Sequence, residues 1–133
     1  MKTGLNQDSG GTRLVSVVVF SIRNAGRVLL LGPDENGAWK FPSEEFDGKL
    51  NGNLESTLRR LSAKFLKSPQ LKAKCVKSFV SMMGNTVEVV YNFTMDVREG
   101  DVTEPHIWIV PRELIGLELD VRTNAFMKAS VRG

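Results

Sequence analysis

The stretch NLESTLRRLSAKFL, residues 53–66, places an apolar residue on one helical face at almost every turn. The apolar positions are Leu54, Leu58, Leu61 and Phe65. Their spacings of four, three and four residues match the period of an amphipathic helix. Asn53 can cap the first turn, and Pro69 stops the helix because the residue before a proline avoids helical geometry. The sequence therefore predicts a helix with one buried face.

The opposite face of this predicted helix is basic. Arg60, Lys64 and Lys67 line up along it with Ala63 beside them, and no acidic residue shares the stripe. The basic excess continues beyond the helix, because every charged residue from 56 to 77 is a cation: Arg59, Arg60, Lys64, Lys67, Lys72, Lys74 and Lys77. Acidic residues are concentrated elsewhere. The charge of this segment is the main clue to function.

The whole chain has the composition of one ordinary globular domain. It has 133 residues, of which 41% are hydrophobic and 25% charged, with a net charge of +3. One cysteine and one histidine exclude an internal disulfide and a Cys/His zinc site. A lone cysteine suits a reducing compartment, so we expect an intracellular location, cytoplasmic or organellar. No apolar run is long enough to cross a bilayer, so we expect no membrane association. Residues 1–13 are interpreted as a flexible leader and residues 14–133 as a single domain.

Strand patterns surround the helix. Residues 14–22 are rich in β-branched side chains, and a turn at residues 24–26 predicts that residues 27–32 return as their antiparallel partner. After the helix, residues 71–80 and 86–97 form a predicted hairpin with a bulge near Cys75. Residues 106–110 form a further strand, Pro111 begins a short helix, and residues 122–131 form a closing helix. This order of elements predicts an α+β fold.

The same order resembles a Nudix domain over residues 14–131. The segments that carry the resemblance are VVVFSIRNAGRVLLLG, AWKFP, ESTLRRL and HIWIVPRELIGLEL. The resemblance implies an α/β/α sandwich with a mixed β-sheet. It also implies that the helix of residues 53–66 is the one that carries the catalytic glutamates in active Nudix hydrolases.

The Nudix signature is G-x5-E-x7-R-E-U-x-E-E-x-G-U, where U is a bulky aliphatic residue. Its glutamates hold Mg²⁺, which prefers oxygen ligands and stabilises charge on a diphosphate. Arg59 and Leu61 match the signature, but Arg60 stands at one glutamate position, and Ala63 and Lys64 stand at the next two. The resemblance is therefore to a degenerate member that lacks the usual catalytic glutamates.

The upstream part of the signature has also changed. Asn51 falls on the isolated glutamate, the usual Pro-Gly-Gly is replaced by Pro42-Ser43-Glu44, and the loop between them carries one extra residue. Two like unit charges about 4 Å apart repel by about 4 kcal/mol at an effective dielectric of 20, so a basic face disfavours a cation. We therefore predict no catalytic residues, no metal ligands and no cofactor on this helix.

Two binding functions fit a basic helix face. The face is either a solvated surface on a protein-association module, or it contacts the phosphates of RNA or a nucleotide, as degenerate Nudix domains in RNA-associated assemblies suggest. The candidate phosphate-binding or nucleic-acid-binding residues are Arg59, Arg60, Lys64, Lys67, Lys72 and Lys74. Trp39 and Phe41 are candidates for base stacking, with core packing as the alternative. Oligomeric state is left open.

The alternative function is a Mg²⁺- or Mn²⁺-dependent Nudix hydrolase of a nucleoside diphosphate-linked compound that uses non-standard acids. The acids considered are Glu44, Glu45, Asp47, Glu55, Glu88 and Glu104, each of which we otherwise expect in solvent. His106 is expected to be a surface or hydrogen-bonded structural residue, and Cys75 an inert buried one. Met82 and Met83, at a hairpin tip, are candidates for an exposed partner contact.

Overall fold

The computed structural model describes residues 12–47, 53–67 and 72–132, with side chains as far as residue 129. Within these ranges the chain forms two sheets and two α-helices. The strands are β1 (Arg13–Phe20), β2 (Arg23–Asn24), β3 (Arg27–Leu31), β4 (Ser43–Phe46), β5 (Lys74–Met83), β6 (Thr86–Thr94) and β7 (His106–Ile109). The helices are α1 (Asn53–Phe65) and α2 (Val121–Arg132). The predicted leader lies outside these ranges except for residues 12 and 13, and Arg13 is already in β1.

The large sheet has the strand order β4-β1-β6-β5 and is mixed. β1 runs parallel to β6, whereas β4 and β5 run antiparallel to their neighbours. The fully buried run from Val17 to Phe20 suits a strand that is covered on both faces. Val18 and Phe20 pack with α1, and Val17 and Val19 pack with Phe126 of α2. The predicted α+β class and the sandwich of helices around a mixed sheet are confirmed.

The small sheet corrects one predicted strand pairing. We expected residues 27–32 to pair with residues 14–22, but β3 pairs with β2 and β7 in a sheet of order β2-β3-β7. Both sides of β1 are taken by β4 and β6. The chain then leaves the large sheet at Ser21, whose amide donates to the carbonyl of Phe93, and Ile22 accepts from the amide of Leu29. The turn itself is where the sequence placed it, with Ala25 and Gly26 at positive φ.

Helix α1 has the predicted buried face. Leu58, Leu61 and Phe65 are buried, and Leu54 is half-buried beside them. Phe65 packs against Phe20 of β1 with ring centroids 5.9 Å apart. This packing fixes the helix on β1 and β4, so its basic face has a defined position relative to β4.

The hairpin of β5 and β6 is confirmed, including the bulge, which lies between Cys75 and Lys77. β5 runs further than predicted, to Met83, and β6 ends earlier, at Thr94. Cys75 is exposed, so the expectation that it is buried was wrong. Cys75 lies near the start of β5, the last strand of the sheet, next to the bulge that leaves Val76 without a partner in the ladder.

The last elements follow the predicted order. Pro111 begins a short 3-10 helix at Pro111–Gly116, and α2 closes the described chain. No helix within the described ranges is both long and apolar enough to cross a membrane.

Candidate functional site

Strand β4 presents two adjacent acids to opposite faces of the large sheet. Glu44 lies opposite Val18, on the face that α1 covers, and Glu45 lies opposite Val17, on the face that α2 covers. The alternation follows from the strand itself, because successive side chains of a β-strand point to opposite faces. Each acid therefore meets the cations of a different helix.

Glu44 forms the centre of the candidate site on the α1 face. Lys64 Nζ lies 2.6 Å from Glu44 Oε1, and Arg60 Nε donates to Glu44 Oε2. Arg60 also donates to Thr57 Oγ1 at 3.4 Å. The Glu44 side chain is only 14% exposed, so both of its oxygens are engaged in a largely covered position. The two cations that the sequence placed on a free stripe are thus paired with an acid from another element.

The two cations set the protonation state of Glu44. Burial by itself would raise the pKa of this carboxyl, but the hydrogen bonds from Lys64 and Arg60, together with their charges, outweigh burial and lower the pKa below its ordinary value. Glu44 is therefore ionised at neutral pH and neutralises part of the basic face.

This donor set does not fit the Mg²⁺ that an active Nudix helix holds. The α1 face offers the cations Arg60 and Lys64 and the methyl group of Ala63, and none of these supplies an oxygen ligand. The oxygens of Glu44 already accept from the cations. In the ranges that the structure describes, no group of three or more His, Cys, Asp or Glu side chains could hold a metal ion.

A second charge network lies on the α2 face. Arg122 Nε donates to Glu88 Oε2 at 2.8 Å, and its Nη2 donates to Glu45 Oε2 at 2.6 Å. Arg13 Nη2 lies 3.3 Å from Glu45 Oε1. Burial would lower the pKa of Arg122, but the two carboxylates raise it, so the guanidinium stays charged. Arg122 ties α2 to the central strand β6 and the edge strand β4.

The expectation that the candidate acids lie in solvent was wrong for Glu88. Its side chain is 1% exposed, because β6 lies between β1 and β5 and Arg122 of α2 covers this side chain. It faces α2, whereas Glu44 faces α1, so the sheet separates them. Glu55 pairs with Arg59 on the surface, and Glu104 is exposed before β7. The acids named for the hydrolase alternative are therefore distributed over both faces.

The six predicted phosphate-binding cations do not share one surface. Arg59 pairs with Glu55 at 2.9 Å, one turn away on α1, whereas Arg60 and Lys64 hold Glu44. Lys67, Lys72 and Lys74 are exposed, but Lys74 lies on β5, at the opposite edge of the sheet from β4. Within the described ranges, none of these three lysines has an ion pair.

The two stacking candidates differ in burial. Phe41 is 4% exposed and packs edge-on against Phe126, with centroids 5.3 Å apart, as the core-packing alternative expects. Trp39 is half-buried against the same cluster. His106 has the hydrogen-bonded role that was expected, because its Nδ1 lies 2.7 Å from the carbonyl oxygen of Glu104.

Sequence reasoning missed both acid–cation networks. Residues 43–46 were not identified as the strand β4. If they had been, the alternation of side chains along a strand would have placed Glu44 and Glu45 on opposite faces of a sheet. The signal for Glu88 was a lone acid between valines in the longest strand pattern, TVEVVYNFT, since a central strand buries such a residue and requires a partner. Arg122 had been placed in a helix but given no role.

Comparison with known proteins identifies the fold. A MutT protein from Methanosarcina mazei Go1 is similar with a TM-score of 0.66 and 18% identity, covering 88% of this chain and 93% of that chain. The Nudix domain of Shewanella oneidensis NrtR, in a complex with ADP ribose, has a TM-score of 0.56 and 15% identity, covering 92% and 88%. The C-terminal domain of mouse MUTYH, in a complex with human PCNA, has a TM-score of 0.57 and 14% identity, covering 86% and 84%.

These likenesses extend over most of each chain and show that the fold is Nudix-like. At the level of sequence, neither a protein-family model nor a curated protein matches the chain.

Proposed function

We propose that this chain, with its Nudix-like fold, is a non-catalytic module that acts by binding, in the first place to a protein partner. The proposal rests on one observation. On the helix face that holds metal in active Nudix hydrolases, Arg60 and Lys64 bind the carboxylate of Glu44. In an active enzyme, a metal ion on this face offsets the negative charge of several carboxylates and coordinates the substrate. Here one carboxylate offsets part of the positive charge of two cations, and no metal ligand among the described residues of this face is left free to form such a site.

The exchange of charges is reciprocal. Cations replace glutamates on the helix, and Glu44 stands at the second glycine of the usual Pro-Gly-Gly, so one carboxylate offsets part of the positive charge of this face without Mg²⁺. A solvated surface of this kind suits a scaffold better than a diphosphate site. The complex of the mouse MUTYH domain with PCNA is a precedent for protein association on a similar fold.

Phosphate contact is the second candidate. Lys67, Lys72 and Lys74 are exposed and have no ion pair in the described part of the chain, so they are the cations that remain able to bind RNA or a nucleotide. Arg60 and Lys64 contribute less, because a phosphate has to compete with Glu44 for them. RNA binding through these lysines weakens steeply with added salt, whereas an apolar protein contact does not.

The decisive experiment is a hydrolysis assay of the full chain on a panel of nucleoside diphosphate-linked compounds with Mg²⁺ or Mn²⁺. We expect no turnover above the rate without protein. Glu44→Gln is the variant that removes the carboxylate from the α1 face, and Glu113→Gln, at an exposed acid of the 3-10 helix, is the control. Metal-dependent turnover that Glu44→Gln abolishes and Glu113→Gln preserves would establish the hydrolase alternative instead.

A further inference from the structure

The α1 face of the large sheet is covered at one end only. Near α1 the face is buried by residues such as Phe20 and Phe93. At the other end, the register places Leu14, Val87 and Met82 side by side across β1, β6 and β5. Leu14 is 71% exposed and Met82 is 63% exposed. The uncovered part of the sheet is therefore apolar.

A second exposed row lies next to the first. Val89 of β6 is opposite Val80 of β5, and Val80 is 59% exposed. Residues opposite each other in neighbouring strands project to the same face, so Val80 and Met82 form the outer margin of one apolar surface. Isolated exposed apolar residues are ordinary, but a contiguous set on a sheet face indicates an interaction site.

The margin of this surface is an unpaired strand edge. β5 is ten residues long and lies at the end of the strand order β4-β1-β6-β5. Among the described strands, only β6 pairs with it. A long edge with apolar side chains is a template for another strand, because its outward amide and carbonyl groups have no partner in the sheet.

The same edge is basic. Lys72, Lys74 and Lys77 lie on or just before β5, and the sequence has no acidic residue from position 72 to position 87. Lys74 and Lys77 lie opposite Thr94 and Asn92. They therefore project to the α2 face, and Val80 and Met82 to the α1 face. Lysines on an edge strand also deter pairing with a second copy of the same chain, since identical edges bring like charges together.

We propose that β5 binds an extended segment of a partner protein by strand addition, and that this segment alternates apolar and acidic residues. Its apolar side chains lie beside Val80 and Met82, and its acidic side chains lie beside Lys74 and Lys77. Main-chain hydrogen bonds supply affinity, and the alternating side chains supply specificity. This inference rests on the proposed binding function and names the class of partner.

Nucleic acid suits this surface less well. The strongly exposed residues Leu14, Val80 and Met82 are aliphatic, and the aromatic residue of the second row, Phe46, is half-buried and packs against Tyr91 with ring centroids 5.5 Å apart. Base stacking needs an open aromatic face. An acidic peptide satisfies both the apolar rows and the lysines, whereas RNA satisfies the lysines alone.

The lone Cys75 gives a direct probe, since it is exposed at the start of β5 and is the only cysteine in the chain. The full chain is labelled there with an environment-sensitive fluorophore and titrated with capped ten-residue peptides. One peptide alternates valine and glutamate, and the other alternates valine and lysine. We expect the glutamate peptide to change the fluorescence with saturation and the lysine peptide to leave it unchanged. Calorimetry with unlabelled protein checks that the label does not create the site.

Backbone pairing is tested with N-methylated peptides. In an extended segment, alternate amides point to opposite sides. Methylation of one alternate set is expected to abolish binding, and methylation of the other set to preserve it. Equal effects of the two sets would exclude strand addition.

The surface is tested with charge reversal. Lys74→Glu with Lys77→Glu is expected to weaken binding of the glutamate peptide at least about tenfold and to create binding of the lysine peptide. The matched control is Arg23→Glu with Lys40→Glu, which changes the net charge equally but lies on β2 and beside β3. This control is expected to bind like the unmodified chain.

The apolar part of the surface is tested with Val80→Ser, which is expected to weaken binding about fivefold. Its control is Ile115→Ser, at a 93% exposed residue outside the surface.

Several outcomes would overturn the proposal. The first is that the glutamate peptide gives no saturable response, and the second is that the charge-reversed and control variants lose binding equally. The third is concentration-dependent dimerisation that blocks the peptide. The fourth is competition by single-stranded RNA that charge reversal abolishes while Val80→Ser does not. None of these results would restore a hydrolase, so failure here remains distinguishable from failure of the proposed non-catalytic function.

Discussion

Glu44 and Glu45 are consecutive residues of β4, yet Glu44 binds Lys64 of α1 and Glu45 binds Arg122 of α2, on opposite faces of the large sheet. One short edge strand thereby connects both helices to the sheet. On the α1 face, this connection occupies the place where a Nudix hydrolase would hold its metal, so the same contact bears on stability and on function.

Glu44→Gln is expected to lower the free energy of unfolding by about 1 kcal/mol at neutral pH, because both cation partners are about half exposed and solvent screens them. The loss should depend on pH. The pKa of Glu44 is lowered in the folded chain, so its contribution is fully present above the pKa of an unfolded glutamate, about 4.3, and is lost as pH falls through the folded-state pKa.

Urea unfolding of Glu44→Gln and the unmodified chain across this pH range measures the effect. The difference between them should disappear in acid. Glu55→Gln, whose partner Arg59 is 62% exposed, is the control and should change stability by less than about 0.5 kcal/mol at any pH. A Glu44→Gln deficit that persists below the folded-state pKa would contradict the ionic account.

Restoring carboxylates to the α1 face is expected to create a metal site. The variant combines Glu44→Gly with Arg60→Glu, Ala63→Glu and Lys64→Glu. Mn²⁺ at ten times its dissociation constant should stabilise this variant by about 1.4 kcal/mol, measured as a rise in Tm. The unmodified chain should gain nothing.

The matched control carries glutamine instead of glutamate at the same three helix positions. It preserves side-chain size without the charge and should not respond to Mn²⁺. The buried residues Leu58, Leu61 and Phe65 are untouched in both variants, so both should fold. Equal stabilisation of the unmodified chain by Mn²⁺ would refute the charge-reversal argument.

Arg122→Met is expected to destabilise the chain by about 3–5 kcal/mol, because it leaves the 1% exposed carboxylate of Glu88 without its cation. Adding Glu88→Met should recover most of that loss, since the buried charge is then absent. Chemical denaturation of the two single variants and the double variant gives the coupling. Arg13→Met, at a 66% exposed side chain, is the control and should cost less than about 1 kcal/mol.

Gly32→Ala is expected to cost about 1–3 kcal/mol, because Gly32 has φ of +130° and an added Cβ would lie 3.0 Å from the carbonyl oxygen of Ala38. Gly100→Ala is the matched control, since no atom lies within 4 Å of its Cβ position. The control should change stability by no more than about 0.5 kcal/mol. Thermal unfolding of both variants distinguishes conformational strain at Gly32 from a general effect of adding a methyl group.

Local periodicity was enough to predict much of the fold. The spacing of Leu58, Leu61 and Phe65 predicted α1 and its buried face, and alternation predicted the hairpin with a bulge near Cys75. Such patterns are determined by the period of each element, 3.6 residues for a helix and two for a strand. The partner of β1 was predicted wrongly, because a turn signal specifies that the chain reverses but not which strands become neighbours.

The sequence by itself predicted a helix over residues 53–66 with an apolar side and a basic side that lacks the Nudix glutamates. Only the tertiary structure decided that Arg60 and Lys64 on the basic side are paired, because they reach Glu44 across 16 and 20 residues of chain. In the same way, Arg122 of α2 reaches Glu45 across 77 residues. Contacts between elements depend on how those elements pack, and no repeat within either element encodes them. The charge of a helix face can be found in one segment, whereas its pairing with an acid of another element requires the fold.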